Sequence, residues 1–197
     1  MKLLIIDKKK TGVFMIIVGL MLILLCLEVN FEGRLKFTSL IQNNIKTLKL
    51  YKVTGKNITY KLPGEWKTQL ENFPGGEILY HNRFVSSSGD IHGYVDVWNL
   101  RQDLKKFLEQ SKQVSENQNN ITGYTLEDFY YNGRDGYKIK YDMITREGIK
   151  YKAYEYFIKH NEIFLRFAFY ITESDFNKNM PTSFETIVKT AEIKEGN

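Results

Sequence analysis

Ile163 to Ile171 limits the fold more than any other stretch, because within it only Arg166 interrupts a run of apolar and aromatic residues. A strand that is apolar on both sides belongs in the middle of a sheet, with helices or loops covering each face. The rest of the chain supplies such a sheet. From Gly123 to Ile171 the pattern predicts a four-strand meander, with turns at Asn132-Gly133 to Gly136, Arg146-Glu147-Gly148 and Lys159 to Asn161. Within it Tyr137, Ile139, Tyr141 and Met143 alternate with Lys138, Lys140 and Asp142, which gives that strand one buried and one wet face.

Upstream, Leu48–Val53 and Ile58–Leu62 read as a hairpin around Thr54-Gly55-Lys56-Asn57, stopped by Pro63-Gly64. Trp66 then folds back as an aromatic plug. Glu77–Val85 and Ile91–Trp98 form two further strands, joined by the loop Ser86-Ser87-Ser88-Gly89-Asp90. Leu104, Phe107, Leu108 and Val114 share one helical face. Asn99 and Gln102 have the spacing of an N-terminal cap, and the polar run Ser115 to Asn120 is expected to end the helix as an exposed loop. A last helix begins near Pro181 and carries Phe184, Ile187, Val188 and Ala191 on one side.

The N-terminal part follows different rules. Gly12 to Leu27 contains no charge and, at about 1.5 Å per helical residue, reaches about 24 Å, with Thr11, Val29 and Phe31 able to extend it toward a bilayer core of roughly 30 Å. Its Val, Leu, Ile and Phe sum to about −3 to −7 kcal/mol of insertion free energy. Lys8, Lys9 and Lys10 precede it and set its orientation, N-terminus in the cytoplasm. No small-residue cleavage signal follows, so the span is read as a retained single-pass anchor. The chain then divides into a cytoplasmic tail (1–11), an anchor through the lipid bilayer (12–29), a juxtamembrane linker or helix (30–47, with Leu35, Phe37, Leu40, Ile41 and Ile45 at helical spacing) and an extracytoplasmic domain (48–197) at the cell membrane.

Outside the first 29 residues stand 24 Lys and Arg against 21 acids, too even a balance for a nucleic-acid partner. The single cysteine, Cys26, lies in the span, so the outer domain has no disulfide within it and depends on its core.

Tyr60-Lys61-Leu62-Pro63-Gly64-Glu65-Trp66, the helix around Phe107-Leu108, and the closing Phe184-Glu185-Thr186-Ile187-Val188 together resemble the PsbP-like family. That family is named for an extrinsic protein of photosystem II, and its fold is shared with a nuclear-import factor that binds the Ran GTPase. The resemblance runs from about Leu48 to Ile193. It implies an α+β fold, an α/β/α sandwich with a mostly antiparallel sheet, here behind an N-terminal transmembrane helix. It also implies a docking or assembly module without catalysis. The anchor and a Lys-, Asn- and Ile-rich bacterial composition are departures, so no photosystem role is carried over.

Asp90 and His92 share a strand face, and His81 opposite them would give a thin metal set without a fourth ligand or an H-E-x-x-H spacing. Ser86, Ser87 and Ser88 lack the G-x-S-x-G elbow of a nucleophile. Trp98 with Tyr94, and the tyrosines at 124, 130, 131, 151, 154 and 156, are candidates for an aromatic binding patch or for core. Asp90, His92 and Trp98 are therefore the candidate surface-binding residues, with no catalytic, cofactor or metal residue assigned. The expected function is a membrane-anchored module that binds a protein partner. The alternatives are a surface hydrolase using His92, Asp90 and a nearby serine, or a receptor for a small extracellular ligand bound between the sheet and the 115–120 segment.

Overall fold

The computed structural model describes residues 45–99, 102–118 and 120–194, with the single positions 15, 17, 18, 20, 21, 38 and 40. Its largest element is a seven-stranded sheet in the order β3-β4-β5-β9-β8-β7-β6, antiparallel at every pairing. The strands are β3 (Lys67–Glu71), β4 (Ile78–Val85), β5 (Ile91–Asn99), β6 (Asn120–Tyr131), β7 (Arg134–Ile144), β8 (Lys150–His160) and β9 (Ile163–Thr172). The apolar run containing Arg166 is β9, the central strand, as its two-sided hydrophobicity requires.

On one face lie α2 (Met180–Val188) and a second sheet made of β1 (Leu48–Lys52), β2 (Ile58–Pro63) and β10 (Glu192–Ile193). They bury Tyr60, Phe84, Phe167, Phe169 and Phe184, with the rings of Phe169 and Phe184 stacked at 4.4 Å. Full burial of each such side chain contributes about 1.5–3 kcal/mol, so this face is the main source of stability. Trp66 plugs it, stacked 5.0 Å from Phe84. Gly93 on β5 lets the neighbouring strands and the Phe84 ring come close within the large sheet. A Cβ there would lie 2.0 Å from the Ala168 carbonyl oxygen and 2.5 Å from Phe84 Cζ.

The other face is covered by α1 (Leu104–Gln118), which sets Leu104 and Leu108 against Ile139, Phe157 and Phe164. Its cap is Asp103, whose Oδ1 accepts the Lys106 N–H at 3.1 Å. Asn99, the expected cap, ends β5 instead, paired with Ile163 and donating its N–H to the Glu77 carbonyl at 2.8 Å. The helix also runs through Gln118 where a loop was expected, since polarity alone does not stop a helix and this run holds neither Gly nor Pro. β3 and β10 escape the sequence pattern. The first is a polar edge strand held by β4, and the second has two residues, paired with β2.

The anchor and Lys8, Lys9 and Lys10 lie outside the described residues, except Met15, Ile17, Val18, Leu20 and Met21. Those five have helical backbone and exposed side chains. Among the described residues no helix is long and apolar enough to cross a membrane. Most of the linker is likewise outside them; Thr38 and Leu40 are helical, and Ile45 is buried.

Candidate functional site

The face under α1 is not uniformly apolar, because neighbouring strands turn ionisable side chains into it. The pairings Asp96↔Arg166, Phe157↔Arg166 and Ile139↔Glu155 place Asp96 (β5), Arg166 (β9) and Glu155 (β8) on this one face. Arg166 donates from Nε and Nη2 to Glu155 Oε2 at 3.0 and 2.8 Å. Glu155 Oε1 accepts the hydroxyls of Tyr141 and Tyr170 at 2.8 and 2.9 Å. Four donors thus fill a carboxylate that is only 4% exposed.

The remaining guanidinium nitrogen, Nη1, has no hydrogen-bond partner among the described residues; its nearest acid is Asp96 Oδ2 at 3.9 Å. The guanidinium also lies over the Tyr94 ring, 4.8 Å from its centre. Asp96, 2% exposed, accepts from Trp98 Nε1 at 3.3 Å, and its Oδ1 lies 2.6 Å from His81 Nδ1. That contact is short but lacks hydrogen-bond geometry, which leaves Oδ1 without a hydrogen-bond partner among the described residues. Burial raises the Asp96 pKa above the carboxylate range, against the opposing pull of Arg166 and His81. Burial likewise lifts Tyr94 to about 12 and drives Tyr141 and Tyr170 higher, with the Glu155 charge adding to the last two. For Arg166 burial works against the charged form, but the charges of Glu155, Tyr94, Tyr170 and Asp96 together outweigh it and hold the proton more firmly.

Beside this network a cavity of about 250 Å³ lies between α1 and the sheet, walled by Trp98, Phe107, Tyr124 and Phe157 with Glu155 and Arg166 among its lining.

The candidate residues fall in different places. Asp90 closes the β4–β5 loop and accepts from Ser86 Oγ at 2.6 Å, from Ser88 Oγ and from the Ile91 N–H at 3.0 Å. Burial would raise its pKa, but these bonds outweigh it and hold the carboxyl below its usual value. It lines an open groove of about 700 Å³ with Glu65, Trp66, Ser87 and Asp175. His92 is half-buried on β5, paired with Val85 and Tyr170. His81 is not opposite it, because the register sets His81 against Asp96. Among the described residues no group of three or more His, Cys, Asp or Glu is placed to hold a metal ion.

Trp98 is half-buried, stacked on Phe164 at 5.9 Å and beside Phe107, so the α1 face contains it. Of the tyrosines, Tyr156 is fully buried, Tyr130 is 69% exposed and Tyr94, Tyr124, Tyr131, Tyr151 and Tyr154 are half-buried. The Glu155–Arg166–Asp96 network has no motif in the sequence. Its one visible trace is the arginine inside the apolar run.

These layers define an α+β domain, a long antiparallel sheet with α1 on one face and α2 with the small sheet on the other. The fold is PsbP-like. The chain is similar to cyanobacterial PsbP (CyanoP) from Synechocystis sp. PCC 6803, at 12% identity and a TM-score of 0.59 over 75% of this chain and 93% of that one. A protein of Bacteroides thetaiotaomicron VPI-5482 matches at 10% identity and a TM-score of 0.53, over 75% of this chain and 48% of that one. LpqN of Mycobacterium tuberculosis, described as involved in cell envelope biogenesis, matches at 12% identity and a TM-score of 0.47, over 77% and 95% of the two chains. Neither a family model nor a curated protein matches the sequence.

Proposed function

We propose that the chain is a single-pass membrane protein whose extracytoplasmic PsbP-like domain binds or steadies a protein partner without catalysis. The observation that carries the non-catalytic reading is that Glu155 and the serines of the β4–β5 loop are committed to internal hydrogen bonds. Glu155 is filled by four donors, and the Ser86 and Ser88 hydroxyls are spent on Asp90. A general base needs a free lone pair within reach of a substrate proton, and the carboxylate that Ser86 and Ser88 meet in Asp90, held below its usual pKa, is a weak base for a serine nucleophile. The charge-free Gly12–Leu27 segment behind Lys8, Lys9 and Lys10 supports the anchored topology. Asp90 is the candidate we retain for partner contact, since it lines an open groove beside exposed Ser87 and Ser88, while Trp98 is packed under α1.

A photo-crosslinking residue placed at Ser87 in the native membrane is expected to trap a discrete partner. Failure to trap one there, with trapping at exposed Tyr130 instead, would overturn the groove assignment. External protease on intact cells is expected to remove the domain, and full protection would refute the outside placement. Any hydrolysis of envelope material that disappears in both Asp90→Ala and His92→Ala would establish the hydrolase reading in place of this one.

A further inference from the structure

We infer that the cavity beneath α1 is a binding site for a small, flat, uncharged aromatic molecule carrying a carbonyl-type acceptor. Its volume of about 250 Å³ corresponds to about eight waters, room for one substituted ring. The walls are aromatic. Trp98, Phe107, Tyr124 and Phe157 offer ring faces and edges, the surfaces against which another ring packs best.

The polar groups of the lining decide what else the ligand carries. Glu155 has no lone pair left for a donor, because two tyrosine hydroxyls and two guanidinium N–H groups already occupy its oxygens. Arg166 is the opposite case: Nη1 keeps its donors without a hydrogen-bonded acceptor, and the side chain is 20% exposed. Of the charged groups in the lining, the one with capacity to spare is therefore a donor that asks for an acceptor.

Charge then separates a carbonyl from a carboxylate. Arg166 in the lining, and Lys112 over the Tyr124 ring at 5.2 Å, are balanced by Glu155 in the lining and by Asp96 beside Arg166. An anion would meet no net positive field and would give up its hydration on entry. A neutral ketone or amide oxygen loses far less on desolvation and still satisfies the guanidinium. This site is separate from the Asp90 groove and does not depend on where the domain stands relative to the membrane.

The test uses the full chain in detergent micelles, with acetophenone as the probe and the indole N–H resonances of Trp98 and Trp66 as readouts. Trp66 lies in the opposite core and controls for detergent effects. Acetophenone is expected to shift Trp98 saturably, with half-saturation in the low millimolar range for a ligand of about nine heavy atoms, and to leave Trp66 unmoved. Ser111→Phe, which fills the cavity from α1, should abolish the shift, and Ile121→Trp fills it from β6 should the first variant misfold. No movement of Trp98 up to about 20 mM acetophenone overturns the site, that concentration being well above the expected range. Tighter binding of benzoate than of acetophenone overturns the uncharged-acceptor assignment, and an undiminished shift in both filled variants overturns the location.

Discussion

Replacing Glu155 by glutamine changes one atom and removes one charge, so it isolates what that carboxylate does for Arg166. The carboxylate presents two acceptor oxygens to four donors at 2.8–3.0 Å. An amide presents one. Facing the guanidinium its NH₂ would set donor against donor, and facing the tyrosines, whose hydroxyls can turn to accept, it would give Arg166 a neutral oxygen; either way Arg166 would be left with only Asp96 at 3.9 Å as counter-ion. Breaking a buried pair by neutralising one member costs about 3–5 kcal/mol, chiefly the penalty of the charge left unpaired. At about 2–4 °C per kcal/mol for a domain of this size, the melting temperature should fall by about 6–20 °C. The assay is urea and thermal unfolding of the full chain in micelles, followed by tryptophan fluorescence, with the urea slope unchanged. The double variant Glu155→Leu/Arg166→Met should be less destabilised than the sum of its single changes, since it removes both desolvated charges together. A loss below about 1 kcal/mol for Glu155→Gln, or full additivity in the double variant, would refute the idea that Glu155 exists to neutralise Arg166.

Gly93→Ala should be among the most damaging single changes, because its Cβ has backbone and the Phe84 ring within 2.5 Å and the strands must part; we expect loss of soluble folded protein, read by circular dichroism. Asp90→Ala should cost about 1–2 kcal/mol at neutral pH through loss of the bonds that close the β4–β5 loop. Since the folded pKa of Asp90 is depressed, its contribution is present above the unfolded value of about 3.9 and is lost as pH falls through the folded value, so the cost of Asp90→Ala should vanish in acid. Asp96 should behave oppositely: with its folded pKa raised, the folded state takes up the proton first. Stability from this group rises as pH falls from the folded pKa toward about 3.9, and Asp96→Asn should flatten that rise in denaturation curves taken across the window.

What the sequence reveals follows from how local each determinant is. The hairpin β1–β2, the meander β6 to β9 and the central place of β9 are all legible, because alternation and turn residues act over a few positions. β3 is not legible, since Lys67-Thr68-Gln69-Leu70-Glu71 has no apolar side and becomes a strand only when β4 offers its hydrogen bonds. The cap moved from Asn99 to Asp103 because a strand pairing with distant Ile163 captured Asn99 first. The network under α1 is the extreme case. Asp96, Tyr141, Glu155 and Arg166 are spread over 70 residues and meet only through strand register, so Arg166 alone gave a sign of it.

The last strand has a consequence for how the chain is made. β10 pairs Ile193 with Ile58, and Lys194 donates its N–H to the Asn57 carbonyl at 2.9 Å, so the small sheet is closed by residues from opposite ends of the domain. Growing from its N-terminal side, the nascent chain lacks this closure until Glu192 to Lys194 have emerged, more than 130 residues after the positions they pair with. Until then β2 keeps an open edge along Ile58 and Thr59, a template for pairing with another chain. A chaperone that shields that edge during synthesis would protect the domain at the stage when it is most open to misassembly.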